Sequence, residues 1–133
     1  MIVIDTHALV WLTSGEPRLG RRSRTLLDTS LAGDTLAVSA ISFWEVSQLV
    51  TRGRIDLGTS AGGWRTEVLN LGINEISIDG EIAVYSTTLK GLPTDPADRI
   101  IVATAILRGA ALVTADERLL AWKNSLRRQD ARR

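Results

Sequence analysis

Strand-like runs alternate with stretches of helical spacing along the whole chain, and this alternation restricts the fold more than any other feature. Ile2-Val3-Ile4, Thr35-Leu36-Ala37-Val38, Asn74–Ile78 and Ala111-Leu112-Val113-Thr114 read as strands. Between them, helical patterns cover His7–Thr13, Leu19–Ala32, Ala40 to about Thr51, Gly62–Leu71, Gly80–Leu89 and Pro96–Arg108, and a last helix begins at Asp116. The boundaries carry their own chemistry. Ser39 and Asp79 are N-cap residues, Gly33, Gly53 and Gly109 are stop signals, and Pro96 suits a first helical position, where its missing N–H costs nothing. Such an order argues for an α/β sandwich around a mostly parallel sheet.

A chain of 133 residues is one domain's length and can bury a sizeable core. No cysteine is present, which removes disulfides, thiolate metal sites and Cys nucleophiles and fits a reducing cytoplasm. No apolar run approaches the roughly 20 residues of a membrane span. The apolar start, Met1 to Ile4, is too short for a signal peptide. Residues 1–122 form the expected folded domain. Residues 123–133 hold Lys123, Arg127, Arg128, Arg132 and Arg133 against one acid, Asp130, and are expected as a basic, disordered tail. No clear strand run is visible after the last helix. A phosphate-contacting arm is the functional reading of that tail.

Four acids stand where one element hands over to the next, or inside an apolar stretch: Asp5, Glu45, Asp98 and Asp116. In parallel sheets, ligands gather beyond the carboxyl ends of the strands. Asp5 follows the first strand directly and Asp116 follows the last by two residues, so both belong to one sheet edge. Spacing alone does not place Glu45 or Asp98. Each acid also has a structural reading. Asp5 and Asp116 can cap helices, Asp98 can stabilise a helix's first turn, and Glu45 can lie exposed or pair with Arg99. His7, the single histidine, reads as a helix-face residue near the site. Trp44 is expected in the core, Trp11 and Trp64 in the core or against a partner, and Trp122 at the surface. No glycine-rich phosphate loop and no Ser-His-Asp set is present.

Four segments read together carry a resemblance: Asp5-Thr6-His7-Ala8-Leu9-Val10-Trp11, Ser39–Val46, Asp95-Pro96-Ala97-Asp98-Arg99 through Ala105, and Leu112–Asp116. In order and in spacing over residues 2–120, they resemble the signature segments of PIN-domain ribonucleases, most closely the VapC-type toxins. The resemblance implies a PIN-like three-layer sandwich, with a mostly parallel central sheet flanked by helices. It also implies a metal-dependent endoribonuclease whose catalytic acids are Asp5, Glu45, Asp98 and Asp116. Asp5, Asp98 and Asp116 would hold Mg²⁺, with Mn²⁺ as substitute, and Glu45 would orient water or assist a second ion. Thr6, Thr114 and Asp95 would support the site, with Asp95 a loop or capping residue or a group that backs the metal ligands. The implied partners are RNA, a cognate antitoxin and a second copy of the chain, in the cytoplasm and with no membrane. A structure-specific DNA nuclease and a noncatalytic scaffold are the alternative readings.

Overall fold

The computed structural model describes residues 1–133, and its sheet has five parallel strands. In chain order the elements are β1 (Ile2–Ile4), α1 (Thr6–Ser14), α2 (Arg21–Ala32), β2 (Leu36–Ser39), α3 (Ala40–Thr51), α4 (Ala61–Asn70), β3 (Asn74–Ile76), α5 (Gly80–Ser86), α6 (Pro96–Leu107), β4 (Ala111–Thr114), α7 (Glu117–Ala121) and β5 (Arg128–Asp130). The chain winds outward from β1 through β2 to β3, then returns to β1's other side with β4 and β5. The winding direction therefore reverses at the β1/β4 seam, where a parallel sheet opens a crevice at its carboxyl edge.

Strand alternation sorts the core into two layers. Ile2, Ile4, Leu36, Val38 and Val113 face one side, against Leu9 and Trp11 of α1, Leu27 of α2, Val46 of α3, and Trp64 and Val68 of α4. Val3, Ala37 and Leu112 face the other side, against Ile82 of α5, Ile101, Val102 and Ala105 of α6, and Leu119 of α7. The three-layer sandwich with a parallel sheet is thus the observed architecture. No helix is long and apolar enough to cross a membrane.

Several sequence expectations change. The fifth strand lies within the expected tail: Leu112 pairs with Arg128, Val113 with Gln129 and Thr114 with Asp130. An Arg-Gln-Asp strand shows no hydrophobic signal, because an edge strand paired on one side is held by backbone bonds. The Arg128 guanidinium helps by donating to the carbonyls of Leu119 (2.8 Å), Trp122 (2.5 Å) and Asn124 (3.1 Å). Residues 131–133 then run against the start of α2. Gly20 N donates to the Ala131 carbonyl and Ser23 N to that of Arg133. A side chain at Gly20 would collide with the Arg133 backbone, so this approach requires glycine.

Two tryptophans trade places with expectation. Trp122 is buried and its indole donates to the Lys90 carbonyl at 2.8 Å. Trp44 is 56% exposed. The buried face of α3 is Ser42 and Val46; the stripe of Ile41, Trp44, Glu45, Gln48 and Leu49 instead lines a groove on the protein surface. Trp11 and Trp64 are both core residues.

Candidate metal centre

Asp5 directly follows β1 and caps α1, its Oδ1 accepting from Thr6 N at 2.8 Å. Its Oδ2 accepts from Thr114 Oγ1, at the end of β4, at 2.5 Å. The first residue after one central strand is thus tied to the last residue of its neighbour. Asp5 is buried, and desolvation raises its pKa above the ordinary carboxylate value against the opposing hydrogen bonds from Thr114 and Thr6.

Glu45 arrives from the second turn of α3, half-buried. Its Oε1 accepts from Thr6 Oγ1 at 2.5 Å, and the same hydroxyl lies 2.9 Å from Ser42 Oγ. Burial, chiefly, and then the negative charges of Asp5 and Asp95 raise the Glu45 pKa. Arg99 is not its partner. That guanidinium instead donates to the carbonyls of Ser86, Leu89, Leu92 and Pro93, tying together the loop before α6.

The α6 N-terminus supplies two acids. Asp95 caps the helix through Ala97 N at 2.9 Å, as its loop position suggests, yet its carboxylate also joins the site. Oxygens of Glu45, Asp95 and Asp98 lie within 4.8 Å of one another. Asp98 is 8% exposed, and its pKa rises to about 7 through desolvation and then the charges of Asp5, Asp95, Asp116 and Glu45. Asp116 caps α7 at the end of β4. Burial pushes its pKa up, but hydrogen bonds from Arg118 outweigh this and hold it low.

All five carboxylates line one cavity of about 660 Å³, with His7, Trp11, Arg18, Arg118 and Arg132 around them. Arg118 is the cation the sequence reading missed. It reaches Asp116 Oδ2 at 3.0 Å and Asp98 Oδ2 at 3.5 Å. Its position two residues after Asp116 was the available signal. Exposed His7 lies at the cavity wall, as a helix-face residue should. The donor set contains only carboxylate oxygens, the ligands that hard divalent cations prefer, and burial first, then the neighbouring acids, disfavours the charged forms of Asp5, Glu45 and Asp98. The residues fit such an ion.

The profile of the PIN domain matches residues 2–123. This chain belongs to the PIN-domain family. Over 119 residues it is 33% identical to Ribonuclease VapC22 of Mycobacterium tuberculosis, covering 89% of this chain and 88% of that protein. The chain is also similar to a chain of the toxin–antitoxin complex from Klebsiella pneumoniae, at 25% identity, TM-score 0.62 and 95% coverage of both chains. VapBC2 from Rickettsia felis, solved bound to a DNA fragment from its promoter, shares the fold at 20% identity, TM-score 0.72 and 98% coverage of both chains. This PIN domain therefore carries its acids on the family's fold, with β5 completing the sheet.

Proposed function

We propose that this PIN domain is a divalent-metal-dependent endoribonuclease and the toxin of a toxin–antitoxin pair. One observation carries the reading. Acids from β1, α3, α6 and the end of β4 converge in a single cavity at the sheet's reversal point. The similarity to Ribonuclease VapC22 supports RNA as the substrate class.

Asp5, Asp98 and Asp116 would hold Mg²⁺ or Mn²⁺, joined by Asp95, whose carboxylate lies beside those of Asp98 and Glu45. An ion held there would supply Lewis-acid activation of water and neutralise charge on the phosphate. The side chains prepare that site. Thr114 fixes the Asp5 carboxylate, Thr6 orients Glu45, and the Asp95 cap holds the α6 terminus in register. Glu45, raised in pKa and half-exposed to the cavity, is placed to orient an attacking water. The partner would be an antitoxin seated near the α3 groove, where apolar Ile41, Trp44, Leu49 and Pro96 border Glu45 and Asp95. A homodimer belongs to the same reading, with exposed Ile78 and Val84 offering apolar contact.

The test is sequencing of RNA 5′ ends after incubating cellular RNA with the protein and Mg²⁺, comparing wild type with Asp5→Asn. Discrete new ends with the wild type alone support the reading. Cleavage of DNA flaps but not RNA would replace it with a DNA nuclease, and cleavage of neither would leave a scaffold.

A further inference from the structure

Arg118 stands where three concavities meet. It lines the acidic cavity, the α3 groove, and a third hollow of about 400 Å³ formed with Lys90, Gly91, Ala121, Trp122 and Lys123. That hollow has a rigid floor. The buried Trp122 donates its indole N–H to the Lys90 carbonyl. Gly91, at φ +80°, lies against the same ring, where an added Cβ would sit 3.3 Å from the indole nitrogen. The Arg128 guanidinium holds the Trp122 carbonyl from the other side. Lys90 and Lys123 therefore project from fixed backbone. Both are exposed, and neither takes part in an ion pair. Arg118 is anchored by Asp116 and Asp98, which sets the hollow in register with the acids, while 63% of its side chain stays open to solvent.

Two unpaired ammonium groups and the open edge of a guanidinium, with no carboxylate lining the hollow, match the oxygens of a phosphodiester chain. We propose that Lys90, Lys123 and Arg118 form a subsite for backbone phosphates of a single RNA strand next to the phosphate held at the acidic centre. This rests on the ribonuclease reading above. The subsite directs the strand across the sheet's carboxyl edge, over Trp122, and binds without regard to base identity, since phosphate contacts carry no sequence information.

The experiment measures fluorescence anisotropy of a labelled single-stranded RNA of roughly eight nucleotides, titrated at several NaCl concentrations. The parent is the Asp5→Asn chain, which leaves the probe intact. Adding Lys90→Gln and Lys123→Gln should weaken binding several-fold at low salt. It should also make the log–log salt dependence shallower by about 1.4, the loss of two single-strand phosphate contacts. Adding Arg21→Gln and Arg22→Gln instead removes equal charge from α2, on the opposite face of the sheet, and should leave the slope unchanged. A parent slope retained by the lysine variant, or an equal fall in both variants, overturns the subsite while leaving the ribonuclease reading in place. A parent that binds no RNA overturns both.

Discussion

Thr114 Oγ1 and Asp5 Oδ2 lie 2.5 Å apart although 109 residues separate them in the chain. The bond crosses the β1/β4 seam, so it couples sheet register to the orientation of the acid most deeply placed in the site. Thr114 is fully buried, and its hydroxyl also accepts from Asp116 N at 3.1 Å. Replacing Thr114 with Val keeps the shape and removes both bonds. A lost hydrogen bond to a charged group is worth about 1.5–3 kcal/mol. Thr114→Val should therefore unfold at lower urea and bind Mn²⁺ more weakly, whereas Thr114→Ser should recover most of both. Urea melts and calorimetric titration check this.

Asp98→Asn should separate stability from function. Burial and then four neighbouring acids disfavour its charged form, and neutralising it relieves both. In EDTA the variant should melt above the wild type, by a few degrees. In Mg²⁺ it should lose RNA cleavage by about a hundredfold, the upper end of the cost of removing a group that supports a metal site. A variant that is less stable in EDTA would mean that the acid makes favourable contacts outweighing the repulsion.

The metal-free chain should be most stable in mild acid. Between about pH 4 and pH 7, folded Asp98 keeps a proton that the unfolded chain has released, so stability falls as pH rises through that window. Asp5 and Glu45, also raised, act in the same direction. Asp116, Glu75 and Asp130, held low, act in the opposite sense, but their contribution is lost only as pH falls below the ordinary carboxylate range. Thermal melts in EDTA should thus give a higher midpoint at pH 5.5 than at pH 8. Adding Mg²⁺ at pH 8 should close the gap. A midpoint in EDTA that climbs from pH 5.5 to 8 would contradict the placement of these charges.

Arg99 should matter for the loop rather than for Glu45. Its four carbonyl contacts hold residues 86–93, the segment that delivers Asp95 and the start of α6. Arg99→Met leaves several part-buried carbonyls unpaired and should cost about 2–4 kcal/mol. Hydrogen exchange should rise across α5 and the following loop, with little change in α3. Faster exchange centred on α3 would restore the Glu45 pairing.

Sheet chemistry was readable because Ile2-Val3-Ile4 and Ala111–Thr114 announce themselves by side-chain type, and the edge rule then placed Asp5 and Asp116 together. Glu45 and Asp98 needed resemblance to known proteins, since spacing along a helix does not say how that helix docks. Asp95 was underrated because its capping bond to Ala97 explains one of its oxygens and hides the role of the carboxylate in the cluster. Trp44 misled for a related reason: an apolar stripe marks a face in want of a partner, and on α3 that partner is not this chain's core. Arg128–Asp130 gave no signal because backbone pairing and a guanidinium, not hydrophobic burial, hold the strand.

The middle strand of the sheet is made of residues 2–4, and one of its two neighbours, β4, begins only at residue 111. A chain emerging from the ribosome exposes Asp5 long before Thr114 can meet it, and closing so long a loop is among the slower steps in folding. Until β4 has been made and paired, the chain carries Asp5 and Glu45 without the β1/β4 seam that arranges the site. The site is thus a property of the nearly complete chain, because truncation before residue 111 removes the β1/β4 seam on which it is built.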